Sequence, residues 1–155
     1  MSDFMDDTEK AISQTVIDID TDDAIEPMTV DEGEYEVRIT AVMKNKDSKE
    51  IIRNNSNGDP FFMLQFDIPG EATSKNFSHY FGMPTAELKE KEPKKNNALK
   101  WTLKCFKDCF GIEGSTIDFN ALVGKKGWVV LGKGKDNRGE YQNNITQFIS
   151  GAKQF

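Results

Sequence analysis

Residues 97–112 read NALKWTLKCFKDCFGI, the one stretch of the chain with a strong helical period. Leu99, Leu103, Phe106 and Phe110 recur at steps of three and four, which places them on one face and predicts a helix over residues 97–110. Asn97 suits the N-cap and Gly111 the C-cap. Lys100, Lys104 and Lys107 fall along the helix and Lys94 and Lys95 stand before it, a solvated face. Cys105 and Cys109 lie inside the same helix. With His79 the single histidine and no CxxC pair, they read as small buried hydrophobes, since a metal site needs two more ligands nearby.

Working outward, the period changes from 3.6 to two on both sides of this helix. Upstream, residues 34–42 alternate with Tyr35, Val37, Ile39 and Ala41 on one face. Residues 60–68 put Phe62, Leu64, Phe66 and Ile68 on one side, Phe61, Met63 and Gln65 on the other. Residues 76–81 form a third strand in which Phe77, His79 and Phe81 share a face opposite Ser78 and Tyr80. Residues 44–59 between the first two strands are polar and rich in Asn, with a turn at Asn57-Gly58. A charged connection, residues 82–96, carries one helical turn over residues 85–91. Downstream, strands at residues 127–131 and 140–149 flank an exposed hairpin at residues 132–139.

Three strands, a helix and two strands is the order of the oligonucleotide/oligosaccharide-binding (OB) barrel, an all-β fold of five strands with one helix. That barrel binds single strands on its second and third strands, flanked by the loops after the first and fourth. Here those loops are residues 44–59 and 132–139, and each holds more Lys and Arg than acid.

Charge divides the chain. Residues 1–31 hold ten acids against one base, Lys10, a net of −9, while the other 19 bases and 16 acids leave the rest at +3, within a total of −6. The expected organisation is therefore an acidic, disordered arm (residues 1–31), a nucleic-acid-binding barrel (residues 32–150) and a short tail (residues 151–155). A short partner-binding motif within the arm is placed at residues 2–7 or 16–25. A chain of pI 4.9 would ordinarily argue against a polyanionic partner, but the acid sits apart from the body, which remains free to meet phosphates. No apolar run reaches the length of a membrane span, and the N-terminus lacks the basic-then-apolar layout of a signal peptide. The expectation is a soluble protein of the host cytoplasm.

The usual catalytic constellations are absent: no GxSxG, no phosphate-cradling Gly-rich loop, no clustered metal ligands. Only Asp67 has the apolar setting that would raise a carboxyl pKa. The reading is a binding protein, not an enzyme, with no cofactor. Single-strand binding needs π-faces for bases and positive charge for phosphates. Phe61 and Tyr80 are the first stacking candidates, Trp128 and Tyr141 the second. Lys44, Lys46, Lys49, Arg53, Lys133, Lys135 and Arg138 are the phosphate candidates, whereas Lys125 and Lys126 belong to a turn.

The C-terminal half resembles phage and prophage single-stranded DNA-binding proteins. The resemblance rests on the helix ending Gly111-Ile112 and on the segment Asp118-x-x-x-Leu122-Val123-Gly124-Lys125. A last strand with Asn143/Asn144, Ile145 and Phe148 continues it, and Gly33-x-Tyr35-x-Val37 with Ser48-Lys49 fits as well. It spans residues 32–149. It implies a sequence-independent single-stranded DNA-binding protein that coats and protects exposed strands in phage DNA replication or recombination. Phage or host replication and recombination proteins would be further partners, reached through the acidic arm. The acid lies at the N-terminal side here, whereas single-strand binders usually carry it at the C-terminus. The alternatives are RNA as the ligand, a protein-binding OB module that modulates a host replication or defence protein, or a phage structural protein.

Overall fold

The computed structural model describes residues 15–151, so the arm motif placed at residues 2–7 lies outside the described residues. Six strands form one antiparallel sheet: β1 (Gly33–Val42), β2 (Arg53–Asn54), β3 (Pro60–Asp67), β4 (Phe77–Gly82), β5 (Lys126–Lys135) and β6 (Tyr141–Phe148). Two helices, α1 (Ala86–Lys91) and α2 (Pro93–Cys109), and a short 3-10 turn at Phe119–Ala121 connect β4 to β5. The main path of the sheet is β4-β3-β1-β5-β6. Phe61 pairs with Arg53 on one side and Gly82 on the other, so β2 adds to the edge of β3 opposite β4. Alternating antiparallel pairing leaves the end strands β4 and β6 running in the same direction.

The inner faces follow the period-two reading except at the end of β1, where a bulge after Ile39 pairs Ala41 with outward Gln65 and turns Val42, not Ala41, to the core. Val37 and Ile39 of β1, Phe62, Leu64 and Phe66 of β3, Phe77 and Phe81 of β4, Val129 and Leu131 of β5 and Ile145 of β6 are buried together. Rings carry much of the cohesion, with Phe62 stacked on Phe81 at 4.9 Å and Phe66 on Phe77 at 5.6 Å. Helix α2 supplies Phe106, and Phe110 just beyond it, to the same cluster. No ladder joins β4 to β6 among the described residues, yet rings from the two edges meet, Phe81 and Phe148 at 6.0 Å.

Two glycines are required by geometry. Gly111 (φ +70°) follows the C-cap of α2, and its neighbour Ile112 donates to the Lys107 carbonyl at 2.8 Å, closing the helix as the sequence predicts. Gly127 lets α2 lie directly on β5, because a Cβ there would stand 2.8 Å from Cys109 Sγ and 3.0 Å from its carbonyl oxygen.

Several boundaries are corrected. Helix α2 begins at Pro93, a turn earlier than expected, with Pro at its first position and Glu92 as N-cap. Asn97 is thus inside the helix, and Asn96 is buried, accepting the Thr85 amide at 3.1 Å. The helical turn at residues 85–91 is α1, capped by the Thr85 hydroxyl on the Leu88 amide. Strand β5 runs on to Lys135, so Lys133 and Lys135 stand on a strand and the hairpin turn shrinks to the residues around Asp136–Glu140. Residues 44–59 contain the extra strand β2. The arm boundary at residue 31 falls within a segment tied to the sheet. The Met28 amide donates to the Thr73 carbonyl and the Met28 carbonyl accepts the Lys75 amide, at 3.0 and 2.9 Å. Buried Asn143, 2% exposed, then holds both backbone groups of Val30 through its amide, at 2.9 and 3.0 Å. No helix of the described residues is long and apolar enough to cross a membrane.

Candidate nucleic-acid interface

Alternation along β3 buries Phe62, Leu64 and Phe66, which turns Phe61, Met63 and Gln65 to the outer face. Alternation along β4 sends Tyr80 outward between buried Phe81 and largely buried His79. The antiparallel register sets Tyr80 opposite Met63, one diagonal step from Phe61. Their rings stack at 4.6 Å with 23° between planes. From the other edge, β2 places the Arg53 guanidinium 5.2 Å from the centre of the Phe61 ring. Phe61 is therefore flanked on one side by a cation and on the other by a tyrosine. Tyr80, 45% exposed, offers the open ring surface of the group.

Asn55 steadies both ends of this arrangement. Its side-chain oxygen accepts the amides of Asn57 and Asp59, forming the turn after β2 with Gly58 at φ +83°. Its Nδ2 donates to the Tyr80 hydroxyl at 3.1 Å. The turn anticipated at Asn57-Gly58 thus also orients an aromatic side chain. Arg53 Nε and Nη2 are buried without a hydrogen-bond acceptor. Orphaned donors of this kind cost roughly 1–3 kcal/mol, which the cation–π contact offsets in part. An acceptor brought to this edge by a ligand would recover the remainder.

A second aromatic and basic group lies at the start of β6. Lys135 Nζ stands 5.1 Å from the centre of the exposed Tyr141 ring, and Lys75 Nζ donates to the Tyr141 carbonyl at 2.8 Å. Lys75 precedes β4, so this contact ties the parallel end strands at their N-terminal ends.

The other candidates are placed elsewhere. Trp128 is directly opposite Glu36 on the outer face of β1 and β5, where Val130 is paired with Glu34. A carboxylate beside the indole repels phosphate, and this face also carries the Arg38–Asp67 ion pair, with bonds of 3.1 and 2.5 Å. Asp67 is therefore a partner of Arg38, whose pKa it raises by hydrogen bond and then charge, and not an isolated carboxyl in an apolar setting. Lys44, Lys46 and Lys49 are exposed on the loop between β1 and β2, which Asn45 organises by accepting the amides of Asp47 and Ser48. Lys133 is paired with Asp31 at 3.2 Å. Arg138 is exposed in the hairpin turn, its amide donating to Asp136. Cys105 and Cys109 both lie in α2, and no group of three or more potential metal ligands occurs among the described residues.

Asn55 and Lys75, which the sequence does not single out, bond to the candidate aromatics Tyr80 and Tyr141. Asn55 and Lys75 owe their roles to cross-strand neighbours tens of residues away. His79 has an apolar environment, edge-on to Phe81 at 4.6 Å and to Phe148 at 5.5 Å, and burial pushes its pKa down to about 4. The chain matches no protein-family model and no curated protein.

Proposed function

We propose that this chain is a sequence-independent single-stranded DNA-binding protein built on a partly open OB barrel, serving phage DNA replication or recombination by coating exposed strands. The observation that carries the reading is the Phe61–Tyr80 stack with Arg53 against it on the outer face of β2, β3 and β4. Stacking accepts any base, and the Arg53 guanidinium supplies positive charge for the phosphates. The strand path β4-β3-β1-β5-β6, with β4 and β6 side by side and the helices entering between β4 and β5, agrees with that barrel when the two-residue β2 is counted as part of a loop. In that fold this face is where single strands lie.

Residues 1–26 hold nine acids against Lys10, which supports a role for this arm as a tethered competitor for the basic residues of the body. A truncation that tests this must stop before Met28, because Met28 is bonded to the connection between β3 and β4 and Val30 to Asn143 of β6.

Titrating the full chain and a variant lacking residues 2–26 with fluorescent oligo-dT across a salt series tests both ideas. Affinity should fall with rising salt, as counterion release requires. The truncated protein should bind more tightly at low salt, with the difference shrinking as salt rises. No binding by either protein at low salt would overturn the reading and favour the protein-binding alternative. Equal affinities at every salt concentration would reject competition by the arm alone.

A further inference from the structure

Along the open seam between β4 and β6 lies a cleft of about 600 Å³, roofed on one side by α2. Its walls include Tyr80 of β4, Leu99, Trp101 and Cys105 of α2, and Thr146 and Phe148 of β6. Trp101 is 61% exposed, the most exposed aromatic ring among the described residues. Apolar spacing explains Leu99, Leu103 and Phe106, which face the sheet. It does not explain an indole left largely in water one position past Lys100. No acidic side chain lines the cleft, and Lys104, one residue past Leu103, holds its ammonium 5.7 Å from the centre of the Trp101 ring.

The cleft is continuous with the stacked pair. Tyr80 belongs to both, and the Tyr80 ring and Leu99 flank the same glycine. A Cβ on Gly82 would stand 3.0 Å from Leu99 Cδ2 and 3.7 Å from Tyr80 Cε1. A strand leaving the open face of Tyr80 on this side meets an exposed indole, a lysine beside it, and the hydroxyl and amide groups of Thr102, Thr146 and Gln147.

We infer that Trp101 is a base-stacking residue, and that the single strand passes from the Phe61–Tyr80 pair into the β4–β6–α2 cleft with Lys104 on a phosphate. This rests on the single-strand reading above and gives that site a direction, onto the helix. The occupant is a nucleic-acid segment, not a polypeptide, because the cleft offers aromatic planes and no carboxylate, and the Lys104 ammonium stands beside the Trp101 ring to meet a phosphate. An indole stack also tolerates any base, in keeping with sequence-independent binding.

The test compares full-length wild type and Tyr80→Ala with three further variants: Trp128→Phe, which leaves Trp101 as the single indole, Trp101→Ala and Lys104→Ala. Trp101 is exposed, so its removal should leave the unfolding midpoint nearly unchanged. On adding oligo-dT, Trp128→Phe should show strong quenching. Trp101→Ala should lose about ten-fold in affinity for an oligonucleotide long enough to span both groups, and much less for one covering only Tyr80. Lys104→Ala should lower the slope of log affinity on log salt by about one. If wild type and Tyr80→Ala show the expected difference but Trp101→Ala binds like wild type, the cleft assignment fails while the single-strand reading stands. If wild type does not bind oligo-dT, both fail. A drop in sedimenting mass for Trp101→Ala with unchanged oligo-dT affinity would assign the cleft to a second copy of the chain and overturn the inference.

Discussion

Replacing Tyr80 by alanine should cut oligo-dT affinity by about 5- to 150-fold, the equivalent of roughly 1–3 kcal/mol for a lost aromatic–base stack. Tyr80 presents the open surface of the group, so its loss removes the platform itself. Phe61→Ala should act more through its neighbours, because that ring separates Arg53 from Tyr80 and both would shift into the space it leaves. The double variant should therefore lose less than the sum of the two single losses, the coupling expected of side chains in contact. Tyr80→Phe keeps the ring but removes the hydroxyl that Asn55 holds, so it should retain most of the affinity. Fluorescence anisotropy of labelled oligo-dT at fixed low salt measures all four proteins. Phe61 and Tyr80 lie outside the main core, so thermal unfolding of the variants should separate lost binding from lost folding. Wild-type affinity for Tyr80→Ala would remove the stack from the site.

Acid should destabilise this protein through His79 before most carboxylates protonate. The imidazole is largely buried on the inner side of β4 against Phe81 and Phe148, and its pKa is pushed down to about 4 from the ordinary 6.5. Below pH 6.5 the unfolded chain takes up a proton at this position and the folded chain does not. Stability is therefore complete above about 6.5 and is lost progressively as pH falls towards 4. The full difference amounts to about 3 kcal/mol, taking 1.36 kcal/mol per unit. Chemical denaturation at pH 7.5 and 4.5 should show most of this loss in wild type. A His79→Phe variant, which keeps a ring on the same apolar face, should lose that much less over the interval. The carboxylates are common to both proteins, so the difference between them isolates His79. Equal losses would show that the imidazole is not shielded as the fold implies.

The fold was legible wherever side chains repeat along a strand or helix long enough to show a period. Phe62, Leu64 and Phe66 against Phe61, Met63 and Gln65 divided β3 correctly, and the same division turned Tyr80 outward on β4. Strand β2 was not legible, because two residues in an Asn-rich stretch carry no period. The end of β5 was misread for a different reason. Gly132 and Gly134 look like turn residues, yet here they are strand residues facing Asn144 and Gln142 of β6. Helix α2 starts at Pro93, four residues before the Asn97 expected as its cap, because Pro suits the first helical position.

For the site, the legible part was which faces the aromatics take, and the illegible part was what they meet. Phe61, Tyr80 and Arg53 came together because β2, β3 and β4 are successive in sequence. Trp128 faces outward, but the β1–β5 register that puts Glu36 opposite it is a fact of pairing between strands some ninety residues apart. Charge counting divided arm from body, but it did not reveal that the end of the arm is bound to the sheet by the Asn143 amide. That bond needs a buried polar side chain opposite a free stretch of backbone, which no local pattern encodes.

Single strands are proposed to lie on the outer face of β2, β3 and β4. An amide-resolved NMR titration of the full chain with short oligo-dT at low salt tests it directly. The largest shifts should fall at Arg53, Asn55, Phe61 and Tyr80, with little change around Glu36 and Trp128. Shifts confined to the outer face of β1 and β5, or no shifts at all, would contradict it.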